Sequence, residues 1–396
     1  MPVTLRPVRI ALIAGPAFTL LLAALTPGAS LGLPTYSRSY GLPCRQCHGT
    51  FSGLNREGMR FLQSGHRLSD AAAPSHPSLQ HLSLSVVADL DQEFADADSA
   101  IGAGAVRGRD RASETRLGSL GVHAMGTWAT WAGHGSFHVE GRLPTRDGTL
   151  VANTAFAQAD DLVRRGALNF KAGEYLVQGP YLALSRAARF QDYLTAESVP
   201  ARGFELNGVS GTWTYGAGML QSRRAQHTAT AATPLFGRLE DPYLWLVRDL
   251  GGQRVGARML FDRQDSNLPF HAWLQHLQAQ ASAVLAFRRI ALVPAYTFDR
   301  FDDRPAAGLH QRRQTALLEA RLPLDVAQRW QLTAFAEHDY TTQTRYSPEA
   351  DRHHEALGLG YDVRPNAELA VEWLHAGDNV AGPRIDQLNT FLRIGY

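Results

Sequence analysis

From about residue 80 onward, apolar side chains recur at every second position. In HEALGLGYDV, Leu357, Leu359, Tyr361 and Val363 share one face, and Gly358, Gly360 and Asp362 the other. NAELAVEWLH sets Ala367, Leu369, Val371 and Trp373 against Glu368 and Glu372. GTWTYGAGML sets Trp213, Tyr215, Ala217 and Met219 against Thr214, Gly216 and Gly218. RVGARMLFD opposes Val255, Ala257, Met259 and Phe261 to Arg254, Arg258 and Asp262. One face is apolar and aromatic, and the other carries charge and glycine. That is the lipid-out, polar-in code of a transmembrane barrel. A soluble sandwich gives the same alternation, so single strands do not decide between the two.

The connections do. The pattern predicts strands at 82–92, 117–131, 134–142, 150–160, 166–175, 202–209, 212–222, 241–249, 254–262, 269–287, 289–299, 313–322, 329–340, 354–363, 366–376 and 387–396. Short links such as AGHG, GVSG, DLGGQ and VRPN alternate with long ones such as 176–201, 223–240, 300–312 and 341–353. Tight periplasmic turns and longer extracellular loops are the habit of outer-membrane barrels. An even strand count brings both barrel ends to the periplasmic side. The final FLRIGY, with Leu392, Ile394 and Tyr396 on one face, resembles the C-terminal signature of bacterial outer-membrane proteins. Past residue 33 no apolar run is long enough for a spanning helix. The expected fold is mainly β: an outer-membrane β-barrel of about sixteen strands over residues 79–396.

Two shorter units precede it. Residues 1–32 place Arg6 and Arg9 before an apolar run and then small residues, the order of a secretory signal peptide. Residues 33–78 contain a short helix from Asn55 to Ser64, with Asn55 as cap and Gly65 as stop. Met59, Phe61 and Leu62 give it an apolar side. So short a unit cannot build a core of its own, so it is expected to plug or cap the barrel lumen.

Composition changes the picture at one point. The chain has two cysteines, and both lie in CRQCH, residues 44–48. Random placement would give that separation in under ~1% of arrangements. The spacing is that of a c-type haem site: Cys44 and Cys47 form thioethers with the porphyrin, and His48 reaches the iron. A zinc site lacks a second cysteine pair, and a thioredoxin-like pair lacks its βαβ surroundings. A plain disulfide stays open as an alternative in an oxidising compartment. Charge is nearly balanced, 39 Lys plus Arg against 37 Asp plus Glu, so no nucleic-acid surface is indicated. Lys171 is the single lysine, a skew that reads as compositional bias.

The stretch PTYSRSYGLPCRQCHGTFSGLNREGMRFLQSGH resembles the fused monohaem cytochrome c–porin family, which includes outer-membrane iron oxidases. The matching residues are Pro34, Tyr36, Arg38, Gly41, Cys44, Cys47, His48, Gly58, Phe61 and Gly65. The family pattern commonly has Tyr where this chain has His66, and often Pro where it has Ser52 and Gly53. The resemblance implies one haem c, held in or near the periplasmic half of a lipid-embedded barrel. It further implies electron transfer between an extracellular donor, such as Fe(II), and a periplasmic carrier, such as a soluble cytochrome. The protein would then be an Fe(II)-oxidising cytochrome or an electron carrier.

For the sixth iron position the candidates are His66, which would lower the potential, and Met59, which would raise it. His76, His81, a barrel residue or no protein ligand are further options. Tyr36, Arg38 and Tyr40 are candidates for the haem pocket or for anchoring the segment. At the extracellular rim, Glu337, His338 and Asp339 face His353, His354 and Glu355 across a loop, a donor set suited to a divalent ion or simply a polar loop. The reading from a different class is a solute channel with the segment as plug, gate or sensor. There Arg254, Arg258 and Arg393 would favour anions.

Overall fold

Backbone hydrogen bonding has to be completed within a membrane-spanning element, and a sheet achieves this only by closing on itself. The computed structural model describes residues 56–63, 83–100, 107–130, 133–144, 151–163, 166–175, 177, 201–221, 239–264, 274–303, 310–325, 330–342, 350–364, 367–378 and 384–395. Among them are one helix, α1 (Arg56–Gln63), and sixteen strands. The first eight are β1 (Ser83–Ala100), β2 (Arg107–Thr130), β3 (Gly133–Pro144), β4 (Val151–Asp160), β5 (Asn169–Tyr175), β6 (Ala201–Ser210), β7 (Trp213–Gln221) and β8 (Leu239–Leu250). The second eight are β9 (Gln253–Gln264), β10 (Leu274–Phe287), β11 (Ile290–Asp303), β12 (His310–Pro323), β13 (Trp330–Thr341), β14 (Ala350–Arg364), β15 (Ala367–Asp378) and β16 (Arg384–Gly395).

Every strand pairs antiparallel with its sequence neighbours, and β1 closes on β16 from Val87↔Gly395 to Asp98↔Arg384. No helix among the described residues is long and apolar enough to cross a membrane. The start of β1 and the end of β16 lie at the same end of the barrel, with the short turns β6–β7, β8–β9, β10–β11 and β14–β15. The long connections, such as 176–200 and 222–238, join strands at the other end. The β8–β9 turn shows why the short ones close. Gly251 and Gly252 both have positive φ, 61° and 101°, which a two-residue hairpin turn of the primed type requires.

All sixteen expected strands have a counterpart, and the departures are in length. The alternation predicts β1 ending at 92 and β2 starting at 117, whereas the hairpin extends to Ala100 and Arg107. The extension is polar, so apolar periodicity does not reveal it. Its register places Asp91, Asp96 and Asp98 opposite Arg116, Arg111 and Arg109, a pairing of opposite charge that suits an antiparallel ladder.

Burial follows the alternation. Along β8, Asp241, Tyr243, Trp245, Val247 and Asp249 are buried, while Pro242, Leu244, Leu246, Arg248 and Leu250 are exposed. The exposed set elsewhere includes Val255, Met259, Leu318, Leu357, Leu359, Val371 and Trp373. An apolar outer band of this kind is what lipid demands. Near the short-turn end it meets aromatic residues: Trp330 packs on Tyr361 with ring centroids 4.3 Å apart, and Arg248 lies 5.0 Å over Trp213.

Candidate functional site

The inner wall is drier than its width allows for an open channel. Barrels of sixteen strands are wide enough to hold an aqueous channel, so inward side chains should be wet. Here Leu374 is 0 % exposed, and Val293 and Trp245 are 1 % exposed. Val293 and Leu374 belong to an inward apolar cluster with Ala295, Leu317, Phe335 and Ala356 on β11 to β15. Trp245 belongs to a second, with Tyr175, Leu220, Tyr243, Val247 and Leu260 around β5 to β9. These inward side chains are shut off from water in two packed clusters on the wall. Gly216 is part of the same packing: a Cβ there would overlap the Trp245 ring, so glycine lets the indole lie across β7.

Helix α1 is the described element inside this wall. Its Phe61 is buried, and Gln63 is 1 % exposed. Asn169 of β5 donates from Nδ2 to the Gln63 carbonyl at 2.5 Å. Arg60 donates from a guanidinium nitrogen to the Gly211 carbonyl in the β6–β7 turn at 3.0 Å. Both contacts are near the short-turn end, where the chain enters β1.

Behind Asn169 stands a polar network on the inner faces of β4 to β8. Lys171 and Glu205 form an ion pair, and the register sets them directly opposite each other. Glu205, 0 % exposed, also accepts from Tyr243 Oη at 2.8 Å, Trp245 Nε1 at 2.9 Å and Asn207 Nδ2 at 3.0 Å. Tyr175 and Tyr243 share a hydroxyl–hydroxyl bond of 3.0 Å, and the Lys171 ammonium lies 4.5 Å over the Tyr175 ring. The Glu205 carboxylate thus has partners on both oxygens, as burial requires. Sequence reasoning passed over this network. Its signal was present in FKAGEY and FELNG, where Asn, Lys and Glu occupy inward positions between Phe170, Phe204 and Leu206.

The rim cluster expected at Glu337, His338, Asp339, His353, His354 and Glu355 is split by the pleat. Glu337, Asp339 and His354 face inward; His354 Nδ1 lies 3.3 Å from Glu337, and Arg313 donates to Asp339 at 2.8 Å. His338, His353 and Glu355 face outward, with His338 Nε2 2.6 Å from Asp351. Adjacent positions on a strand point to opposite faces, so these six residues cannot converge on one ion. Among the described residues, no group of three His, Cys, Asp or Glu is placed to hold a metal.

The haem-motif residues Cys44, Cys47 and His48, with Tyr36, Arg38, Tyr40 and His66, lie outside the described residues. Met59 lies within α1, although only its backbone is described. Of the expected anion-favouring arginines, Arg254 is bonded to Asp249 at 3.1 Å and Arg258 to Gln278 at 2.6 Å.

No family model matches the chain, and neither does any curated protein. Solved structures do resemble it. OmpT of Vibrio cholerae, as expressed in the outer membrane, superposes with a TM-score of 0.56 at 11% identity, over 81% of this chain and 100% of that one. An anion-selective porin from Comamonas acidovorans gives 0.55 at 13% identity, over 80% and 100%. The outer membrane channel DcaP of Acinetobacter baumannii gives 0.58 at 10% identity, over 82% and 100%. At such identities the likeness is one of fold: the closed antiparallel barrel of outer-membrane porins.

Proposed function

We propose that the chain is a bacterial outer-membrane barrel of porin type whose lumen is occupied by its own N-terminal segment, and that this segment carries one haem c. The observation that carries the plugged-lumen part is the dry inner wall with α1 docked on it. The haem part rests on CRQCH, whose two thiols would attach the porphyrin covalently and whose adjacent imidazole would ligate the iron. A low-dielectric, partly aromatic wall beside α1 suits a porphyrin.

When bound, the haem supplies one-electron chemistry. The chain's own part is to hold it through Cys44 and Cys47, ligate its iron through His48, and keep bulk water away. His66 and Met59 remain the candidates for the sixth position. In this reading electrons pass from an extracellular donor, with Fe(II) as the first to test, to a periplasmic carrier such as a soluble cytochrome.

A second reading is supported by the structural likenesses, which include an outer membrane channel and an anion-selective porin. Here the barrel passes solutes and the segment is a plug, gate or sensor. One preparation separates the two. Purified, haem-loaded protein is mixed with Fe(II) under a spectrophotometer, and the same batch is placed in a planar bilayer. Electron transfer predicts rapid appearance of the reduced spectrum and a conductance far below that of an open porin. Porin-sized conductance without reduction by Fe(II) would replace that reading with the channel.

A further inference from the structure

We infer that the inner wall of β5 and β6 caps the C-terminus of α1, and that this cap, with Arg60, latches the N-terminal segment into the short-turn mouth. The inference rests on the reading of that segment as a resident of the lumen, and it holds whether or not the segment carries electrons.

A helix leaves its last carbonyls without partners inside the helix, so its end needs donors from elsewhere. In α1 one of those carbonyls is that of Gln63, and its donor is Asn169 Nδ2 at 2.5 Å. Asn169 is 0 % exposed, and its amide orientation is imposed from both sides. The backbone N–H of Asp161 donates to Asn169 Oδ1 at 3.0 Å, so Nδ2 must face the other way. Nδ2 has two hydrogens; one goes to Gln63 and the other to Asn207 Oδ1 at 3.0 Å.

The orientation of Asn207 is imposed in turn. Its Nδ2 is directed to Glu205 Oε1 at 3.0 Å and Gln158 Oε1 at 3.2 Å. Glu205 can accept there as a buried carboxylate because Lys171 neutralises it. The single lysine thus begins a relay from Lys171 through Glu205, Asn207 and Asn169 to the end of α1. Its outcome is one hydrogen-bond donor aimed at one carbonyl of the segment. Arg60 adds a second point, reaching the Gly211 carbonyl at 3.0 Å from the last turn of the helix. A cation in that turn also suits the negative end of the helix.

Asn169→Asp breaks the latch from the wall side. A carboxylate keeps the acceptor for Asp161 N–H, removes the donors to Gln63 and to Asn207 Oδ1, and turns an attraction into a repulsion. Arg60→Ala removes the second point without touching the barrel wall. Both full-length, haem-loaded proteins are digested briefly with subtilisin in detergent, and release of the N-terminal segment is timed. Losing one such bond should speed release about tenfold, with heat-modifiable migration of the barrel unchanged. Wild-type release rates from both folded variants would overturn the inference. If Asn169→Asp fails to fold, Arg60→Ala alone decides, since its side chain is no part of the sheet. Reduction by Fe(II), read on the same samples, bears on electron transfer, and its absence leaves the digestion result standing.

Discussion

Lys171 shows how far one residue can be argued. Its partner Glu205 is fully buried and also accepts from a tyrosine, a tryptophan and an asparagine. Removing one member of a buried pair strands the other, whereas removing both can be nearly neutral. Lys171→Met should therefore destabilise the folded barrel by about 3–5 kcal/mol, and Lys171→Met/Glu205→Gln by much less. The check is the urea midpoint followed by heat-modifiable gel migration. A single variant that unfolds at the wild-type midpoint would mean that the pair is not coupled as the geometry indicates. At this scale the sequence was least legible. The count of lysines pointed to Lys171, yet its partner lies 34 positions away and meets it only through the β5–β6 register. The converse holds for Glu337, His338 and Asp339, whose adjacency in sequence puts alternate members on opposite faces of the wall.

At the scale of the strand, legibility was high because period-two alternation is a direct imprint of a wall between lipid and protein. Leu357, Leu359 and Trp373 lie on the outer face as the pattern requires. It failed where the alternation has no apolar side, as in the charged outer part of the β1–β2 hairpin. The same physics makes the cost of a charge depend on depth. Leu357 is 49 % exposed on the outer face, midway along β14, whereas His338 is outward near the long-loop end of β13. Leu357→Arg should cost about 2–4 kcal/mol and His338→Arg about 0–1 kcal/mol. Equilibrium unfolding from lipid vesicles measures both. Equal costs would mean that the outer face of β14 is not in hydrocarbon.

At the scale of the molecule, the architecture was legible but the balance of charge inside it was not. Strand count, closure and alternating connection lengths all follow from local patterns, and the porin likeness agrees with them. The expectation of an anion-favouring interior came from counting arginines on single strands, and the charges described on the inner wall argue for the opposite preference. Among the described residues, ten carboxylates are buried, from Asp160 to Glu372. Facing them on the inner wall are Lys171, Arg254, Arg258, Arg313 and Arg321, and the ion pairs there include Lys171–Glu205, Arg254–Asp249, Arg313–Asp339 and Arg321–Glu319. A low-dielectric wall with surplus negative charge raises the local concentration of cations. Whatever current the barrel passes, intact or with the Asn169→Asp latch variant, should then be cation-selective. Under a salt gradient the zero-current potential should take the cation sign, more strongly at 0.1 M than at 1 M, since salt screens fixed charge. Asp241→Asn and Asp262→Asn should each move it toward zero. An anion-signed potential would show that fixed charge elsewhere governs permeation.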